Sequence, residues 1–459
     1  MSQLTLSSQE ALIAQTLANI PTDQISERVR QCGIVGAGGA GFPTYVKLQA
    51  KAEIYLVNAA ECEPMLKVDQ QLMAQQASQL IRGLRYGMAA TGAKEGIIAL
   101  KAKYKAAMAA LDPFIPANIR IHILPDVYPA GDEVITIWQA TGRRVPPAAL
   151  PISIGVVVNN VQTLLNLAKA LEDNQGVTQR TLTINGAVKK TMTLTVPIGV
   201  TLRQVLELAG GATISNPAFI NGGPMMGKLV SDLDAPVTKT TGGLLVLPDD
   251  HLIIQRRKRS DESILNMAKT VCEQCCLCTE LCPRHLIGHE LPPHLLVRAM
   301  NYQQVATPST LLSALTCSEC SVCESYACPV EISPMRINQL LKKQLRAQGA
   351  KYQGELREAD PMAEYRMVPI KRLISRLNLE PFYHEAPMTA LNWQPEQVSI
   401  PLLQHIGAPA EACVQMGDFV NAGQCIAQPK ADVLSVGIHA SIAGHITQIT
   451  PNNITISRG

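Results

Sequence analysis

Apolar runs set off by helical stretches dominate the first third of the chain. Glu53–Asn58, Gly96–Leu100, Arg120–Leu124 and Gly155–Val158 are short, almost continuously apolar segments. Helix-period patterns lie between them, which predicts βαβ units and a largely parallel sheet over residues 26–180. Ahead of this, Ile13, Leu17 and Ile20 form one helical stripe. Ser7 and Glu10 have capping-box spacing, and Pro21 stops the pattern, so residues 1–25 read as an amphipathic helix. Such a stripe packs on the chain's own core or on a partner.

The period changes at 181. Thr181–Ile184 and Thr193–Val196 alternate like strands about an Asn185–Gly186 hairpin signal, followed by a short helix at Leu202–Leu208 and a turn at Asn221–Gly223. Residues 181–247 are expected to form a small α+β module. Gln255–Glu262 is basic and polar and reads as a linker. Residues 260–345 carry helical flanks around cysteines, 346–395 a charged, proline-interrupted connector, and 396–459 short β runs with glycine turns. The fold expected is multidomain, α/β and α+β.

The 459 residues are 47% hydrophobic and 17% charged, too apolar for disorder, and suggest about three domains. Net charge is +3 and aromatics are 4%, with no basic run interleaved with aromatics, so nucleic acid is not an expected partner. No segment has the length of a membrane span, and the first residues lack a secretory pattern, so a cytoplasmic location is expected.

Thirteen cysteines in such a chain point to metal. Cys272, Cys275, Cys278 and Cys282, followed by Pro283, have the C-x2-C-x2-C-x3-C-P spacing of bacterial ferredoxins. Cys317, Cys320, Cys323 and Cys328, followed by Pro329, repeat it with one extra residue before the last cysteine. Three thiolates recurring every third residue can face one cube, and the fourth reaches the other cube in two-cluster ferredoxins. Two [4Fe–4S] clusters are therefore expected, Cys328 completing the first and Cys282 the second. Zinc is the competing ligand for C-x2-C pairs. Cys276 is off register, and Cys32, Cys62, Cys413 and Cys425 read as buried small hydrophobes.

Gly36, Gly38 and Gly41 spell G-x-G-x-x-G, with Glu61 twenty residues later, the literal dinucleotide fingerprint. The strand before it is minimal, and Phe42–Pro43 interrupts the helix that should follow. Read as a whole, Gly36–Thr44 (with Gly39) and Lys47 resemble the flavin loop of the NADH-oxidising subunit of respiratory complex I and of the RnfC proteins of Rnf complexes. Three further segments agree in order: Asn58–Pro64 with Asp69, Tyr128–Glu133 with Gly131, and Val158–Thr163. The resemblance implies a Rossmann-like domain holding FMN with NADH stacked on it. Asn159, Asn160 and Thr163 would bond the FMN phosphate and ribityl chain. Lys47 would offset negative charge, and Glu63 and Glu133 would accept from ribose hydroxyls or the nicotinamide amide. A solvated loop face is the other reading of these carboxylates. Ala60 departs from the acid that complex I has there.

Residues 181–247 resemble the β-grasp, soluble ligand-binding domain of the same families, on Asn221–Gly227 and Pro236–Gly242. It could be a ligand site or a rigid spacer. Gly417–Gly423 and His439–Gly444 resemble a barrel-sandwich hybrid without the lysine hairpin that carries a prosthetic group. That domain is C-terminal here. The domain order and the motif Leu311–Cys320 with Cys323–Pro329 are similar to the cobalamin reductases of propanediol-utilisation microcompartments. The resemblance implies NADH-dependent reduction of cobalamin, an adenosyltransferase and a shell protein as partners, and an encapsulation role for the N-terminal helix. No Asp-x-His-x-x-Gly cobalamin segment is present. A peripheral subunit of an Rnf-type membrane complex and a non-catalytic electron-carrying scaffold are the alternatives.

Overall fold

The computed structural model describes residues 6–302 and 307–458. The start of the expected N-terminal helix, residues 1–5, lies outside them.

Four parallel strands form the sheet of the first domain, in the order Ile119–Leu124, Glu95–Lys101, Ile54–Ala59, Val156–Asn160. The apolar runs form the two central strands because both sheet faces are covered there. Helices Ala77–Thr91 and Val161–Asp173 pack face to face over the sheet. Their approach is set by Gly83, where a Cβ would stand 2.1 Å from the Leu164 carbonyl oxygen. The glycine fingerprint is not in a strand–loop–helix crossover, which corrects the literal dinucleotide reading. It follows helix Thr22–Gln31, and its ends meet only in an isolated antiparallel bridge between Val35 and Pro43.

The first helix runs over Leu6–Asn19, so Ser7 lies inside it rather than at its cap. Its stripe is covered by the chain itself. Ile13 and Ile20 are buried in the main core, and Leu17 packs against it. Gln9 bonds Ser78 at 2.8 Å, and Glu10 pairs with Arg85.

A mixed sheet follows, ordered Met192–Pro197, Gln179–Gly186, Gly243–Pro248, Pro217–Asn221, Lys228–Leu229. Helix Leu202–Leu208 begins with a capping box between Thr201 and Gln204. Asn185 and Gly186 end a strand rather than make the hairpin turn. The Asn185 amide is buried and donates to the carbonyls of Met65 and His384, so it ties three segments together.

The linker expected at Gln255–Glu262 is mostly helix. Leu252–Lys258 is one helix and Asp261–Val271 the next, with Ser260 as its N-cap. The arginines that made the segment look solvated lie against protein. Arg256 is buried, and Arg257 donates to the carbonyls of Gly227 and Pro224. Helices carry the cysteine region. The connector wraps the other units, pairing Val368–Pro369 with Val127–Tyr128 and bonding Thr389 to Thr193. Two small antiparallel sheets, of four and three strands, make up the C-terminal unit.

Candidate functional site

The glycine loop Gly36–Phe42 is closed by a bond from Gly36 N–H to the Phe42 carbonyl at 2.8 Å. Gly39 and Gly41 have φ of +110° and +65°, which glycine adopts without strain. Gly38 is crowded lightly, since a Cβ would stand 3.7 Å from Asn160 Cβ. The loop is fastened from beneath. Thr163 Oγ1 accepts from Ala37 N–H at 2.9 Å, and Arg180 donates to the Ala37 carbonyl at 2.8 Å. Burial lowers Arg180 to about 10, opposed by the nearby Asp69.

Carboxylates and amides line the C-terminal ends of the central strands. Lys47 Nζ pairs with Glu133 at 2.7 Å and donates to the Val158 carbonyl at 2.8 Å. Glu133 opens the helix Glu133–Thr141, capped by Asp132. Asn58 donates to the Gly131 carbonyl. A Cβ at Gly131 would meet Cys62 Sγ at 2.9 Å, so a side chain there would have to displace Cys62. Asn160 caps the helix Val161–Asp173 and donates to Asp69. Burial, then the neighbouring Glu61, pushes Asp69 up to about 8.

Beside Asn58, Asp69, Asn160 and Thr163, three more of the expected ligands are engaged by the protein. Glu61 takes the N–H groups of Asp69 and Gln70 at the start of helix Val68–Gln75. Glu63 takes the N–H groups of Met225 and Met226 at 3.0 and 2.7 Å, so both its oxygens serve the turn at 222–226. Asn159 is buried and bonds Tyr55. The turn at 222–226, in the module that the sequence offered as a ligand site or spacer, is a seat for Glu63. Asn160 lies against Gly38, Lys47 follows the loop and pairs with Glu133, and Asn58 holds Gly131. Two buried oxygens beside the glycine loop, Thr44 Oγ1 and Gln162 Oε1, have no hydrogen-bond partner. Glycine backbone, unpaired buried oxygens and a lysine suit a phosphorylated flavin.

The two cysteine loops are conformational copies. Gln274 and Cys276, on either side of Cys275, have φ of +51° and +63°. Glu319 and Ser321, on either side of Cys320, have φ of +60° and +63°. The extra residue of the second motif is absorbed by a π-helical turn, Cys323–Ala327, where the first has a short α-turn, Leu277–Glu280. Cys282 and Cys328 then leave with nearly the same backbone angles, φ −69° and ψ 116° against φ −74° and ψ 117°.

The fourth cysteines cross over. Cys282 packs with Cys317, and Cys282, Cys317, Cys320 and Cys323 line one cavity with Met335 and Asn338. Cys328 packs with Cys272 and lies beside Cys275 and Cys278. Backbone N–H groups point at several thiols, and Asn338 donates toward Cys317 Sγ at 3.8 Å. Burial pushes the Cys282 and Cys278 thiols up to about 12. Bare thiolates are disfavoured there, and iron would replace the proton. Among the described residues no three His, Cys, Asp or Glu side chains close around a single ion. Cys413 is exposed and Cys62 and Cys425 half-buried, so only Cys32 of the four remaining cysteines is buried as expected.

Sequence reasoning missed Arg180, Arg257 and Lys239. Lys239 is buried and donates to the carbonyls of Gly33 and Gly437, joining the first and last domains. The one signal for it was its place inside an otherwise uncharged stretch.

Comparison with known proteins gives four family matches along the chain. They are the Nuo51 FMN-binding domain at 29–169, the SLBB domain at 181–229, a 4Fe-4S dicluster domain at 271–333 and the RnfC barrel sandwich hybrid domain at 384–459. The chain is 64% identical to "Cobalamin reductase PduS" of Citrobacter freundii, over 95% of this chain and 96% of that protein. It is 64% identical to the PduS of Salmonella typhimurium strain LT2, over 96% and 98%. The C component of the Na(+)-translocating ferredoxin:NAD(+) oxidoreductase complex of Acetobacterium woodii is 36% identical, over 59% and 60%. With an FMN-binding domain, a dicluster domain and this identity along nearly its whole length, the chain belongs to the PduS cobalamin reductase family.

Proposed function

We propose that the chain takes electrons from NADH through FMN and two [4Fe–4S] clusters and delivers them to cobalamin, reducing cob(III)alamin to cob(II)alamin and cob(I)alamin. The observation that carries this reading is the junction of the two sites. The Tyr128–Glu133 segment, whose Glu133 pairs with Lys47 just beyond the glycine loop, bonds the second cysteine loop through Tyr128 and Arg284, just after Cys282, through Asp132. Its PduS relatives are named as cobalamin reductases, which supplies the acceptor.

FMN, when bound, supplies the conversion from hydride donation to single-electron transfer. Gly36, Gly38, Gly39 and Gly41 let backbone approach it closely, and Phe42 closes the loop. Asn160 and the orphaned oxygens of Thr44 and Gln162 offer it polar contacts, while Thr163 and Asn159 hold the surrounding backbone and strand in place. Lys47 offsets negative charge at the cleft, and Glu133 fixes the Lys47 ammonium and is the acid left to accept from NADH. Asn58 orients Gly131. Glu61 and Asp69 form a buried pair behind them, and Glu63 fixes the neighbouring domain.

Cys272, Cys275, Cys278 and Cys328 would hold one cluster, and Cys282, Cys317, Cys320 and Cys323 the other. A cavity lined by four thiols suits a cube better than a zinc ion, whose ligands must converge on one point. No described helix is long and apolar enough to cross a membrane. We place the protein inside a propanediol-utilisation microcompartment, with an adenosyltransferase consuming cob(I)alamin and a shell protein as neighbour. The N-terminal helix would have to leave its own core to serve as the address.

The test is anaerobic addition of NADH to protein loaded with FMN, iron and sulfide. Bleaching of the flavin followed by EPR signals of two reduced clusters supports the reading. Flavin that stays oxidised would refute it.

A further inference from the structure

We propose an order for the two cluster sites. Cys282, Cys317, Cys320 and Cys323 hold the cluster that receives electrons from the flavin, and Cys272, Cys275, Cys278 and Cys328 hold the one that delivers them outward. Tyr128, with the Arg284–Asp132 pair, positions the receiving end. This rests on the reading above that FMN binds at the glycine loop.

Three contacts carry the assignment. The buried phenol of Tyr128 donates to the backbone carbonyl of Cys320 at 2.7 Å. Arg284, two residues after Cys282, pairs with Asp132 at 2.8 Å, both side chains largely buried. Asp132 in turn caps the helix that begins with Glu133, the partner of Lys47. Tyr128, Asp132 and Glu133 belong to one segment, which meets the glycine-loop region through the Glu133–Lys47 pair. Tyr128 reaches the loop of the second site, and Asp132 the arginine that follows its crossing cysteine. No hydrogen bond described between that segment and Cys272, Cys275, Cys278 or Cys328 matches these.

Packing agrees. Cys320 shares a core with Tyr128 and Met65, with Cys62 packed against it, whereas Cys328 and Cys272 share a separate core with Ile264, Ala268 and Val297. The sites meet where Cys278 lies beside Cys282 and Cys323 beside Cys278. Exposure runs the same way. Cys282, Cys320 and Cys323 are buried, while Cys275 is exposed, between Val271 and Leu277, which are 38% and 37% exposed. Electron tunnelling falls steeply with distance, so the site bonded to the flavin segment is the receiver and the site with an exposed ligand is the donor to a corrinoid. The balance closes. NADH yields NAD+, one proton and two electrons, each site carries one electron at a time, and corrinoid accepts them singly.

The test uses the full chain loaded with FMN and clusters, poised with dithionite so that a flavin radical and reduced clusters coexist. A nearby reduced cluster speeds relaxation of the radical's EPR signal. The expected result is that fast relaxation persists in Cys275→Ser and is lost in Cys320→Ser. Persistence in Cys320→Ser with loss in Cys275→Ser would overturn the order. Tyr128→Phe keeps all eight thiols and guards against cluster loss in the other variants. Only the cluster signal coupled to the flavin radical should change its line shape, and a change confined to the uncoupled cluster would equally overturn it. Because dithionite supplies the electrons, a failure of NADH to bleach the flavin would count against the proposed function and not against this order.

Discussion

Glu63 accepts the N–H of Met226 at 2.7 Å, and this bond joins the flavin-type domain to the sheet that follows it. The same carboxylate takes Met225 N–H, and Arg257 holds the carbonyls of the same turn. Glu63→Ala would strand the part-buried Met225 N–H, at about 1–3 kcal/mol, whereas water can reach the exposed Met226. Thermal unfolding should show a lower Tm, with Glu63→Gln intermediate because its carbonyl can still accept one bond. A Tm equal to that of the parent would mean that the turn is held by Arg257 alone.

Asp69 gives a pH signature. Its carboxyl is raised from 3.8 to about 8, first by burial and then by Glu61. A raised carboxyl binds its proton more tightly in the folded state. Its contribution to stability therefore falls as pH rises from about 4 to 8 and stays low above that. Asp69→Asn keeps an acceptor for Asn160 and carries no charge. The variant should gain stability relative to the parent as pH rises across this window, read from denaturant midpoints. A constant difference would show that Asp69 is ionised throughout.

The π-helical turn makes a prediction about length. Cys323–Ala327 holds one residue more than the matching turn before Cys282, yet the exit angles agree. Deleting Ser325 should let the turn relax to the shorter form and leave Cys328 in reach of Cys272, Cys275 and Cys278. Iron and acid-labile sulfide should stay near the parent's values, expected at about eight of each for two cubes. By contrast, Cys328→Ala should disturb the EPR signal of the Cys272 site. Loss of one cube's iron on deletion would show that the π-turn is required.

The N-terminal helix should matter for stability. Ile13 is 4% exposed within the main core. Ile13→Ala should cost about 2–5 kcal/mol if the helix unfolds together with the domain. An unchanged Tm would mean that the helix detaches freely, as an address segment would.

Much of this architecture could be read from residue pattern. The four apolar runs became the four parallel strands; the central two, covered on both faces, have no polar side to show, whereas Ile119–Leu124 at the edge leaves Arg120 and Ile123 exposed. Leu202–Leu208 is helical as expected, since its cap and apolar period agree. The cysteine spacing pointed to a crossing, and the fold packs Cys282 with Cys317 and Cys328 with Cys272. What could not be read depends on contacts made far along the chain. Arg256 and Arg257 looked like a solvated linker because their partners lie far along the chain, Glu331 for Arg256 and the turn at 222–227 for Arg257. Glu61 and Glu63 looked like ligands because no local pattern shows that Asp69, Gln70, Met225 and Met226 would offer them N–H groups. The stripe of the first helix was legible, but its partner, the Ala77–Thr91 helix, was not.

The central claim is electron transfer from NADH to cobalamin through both cluster sites. The most direct test is anaerobic protein loaded with FMN, iron and sulfide, mixed with NADH, cob(III)alamin and an alkylating trap for cob(I)alamin. The account predicts NADH-dependent formation of the alkylated corrinoid, abolished in Cys320→Ser and in Cys275→Ser while the flavin still bleaches. Corrinoid left oxidised although NADH reduces flavin and both clusters, or reduced equally fast by the two variants, would contradict it.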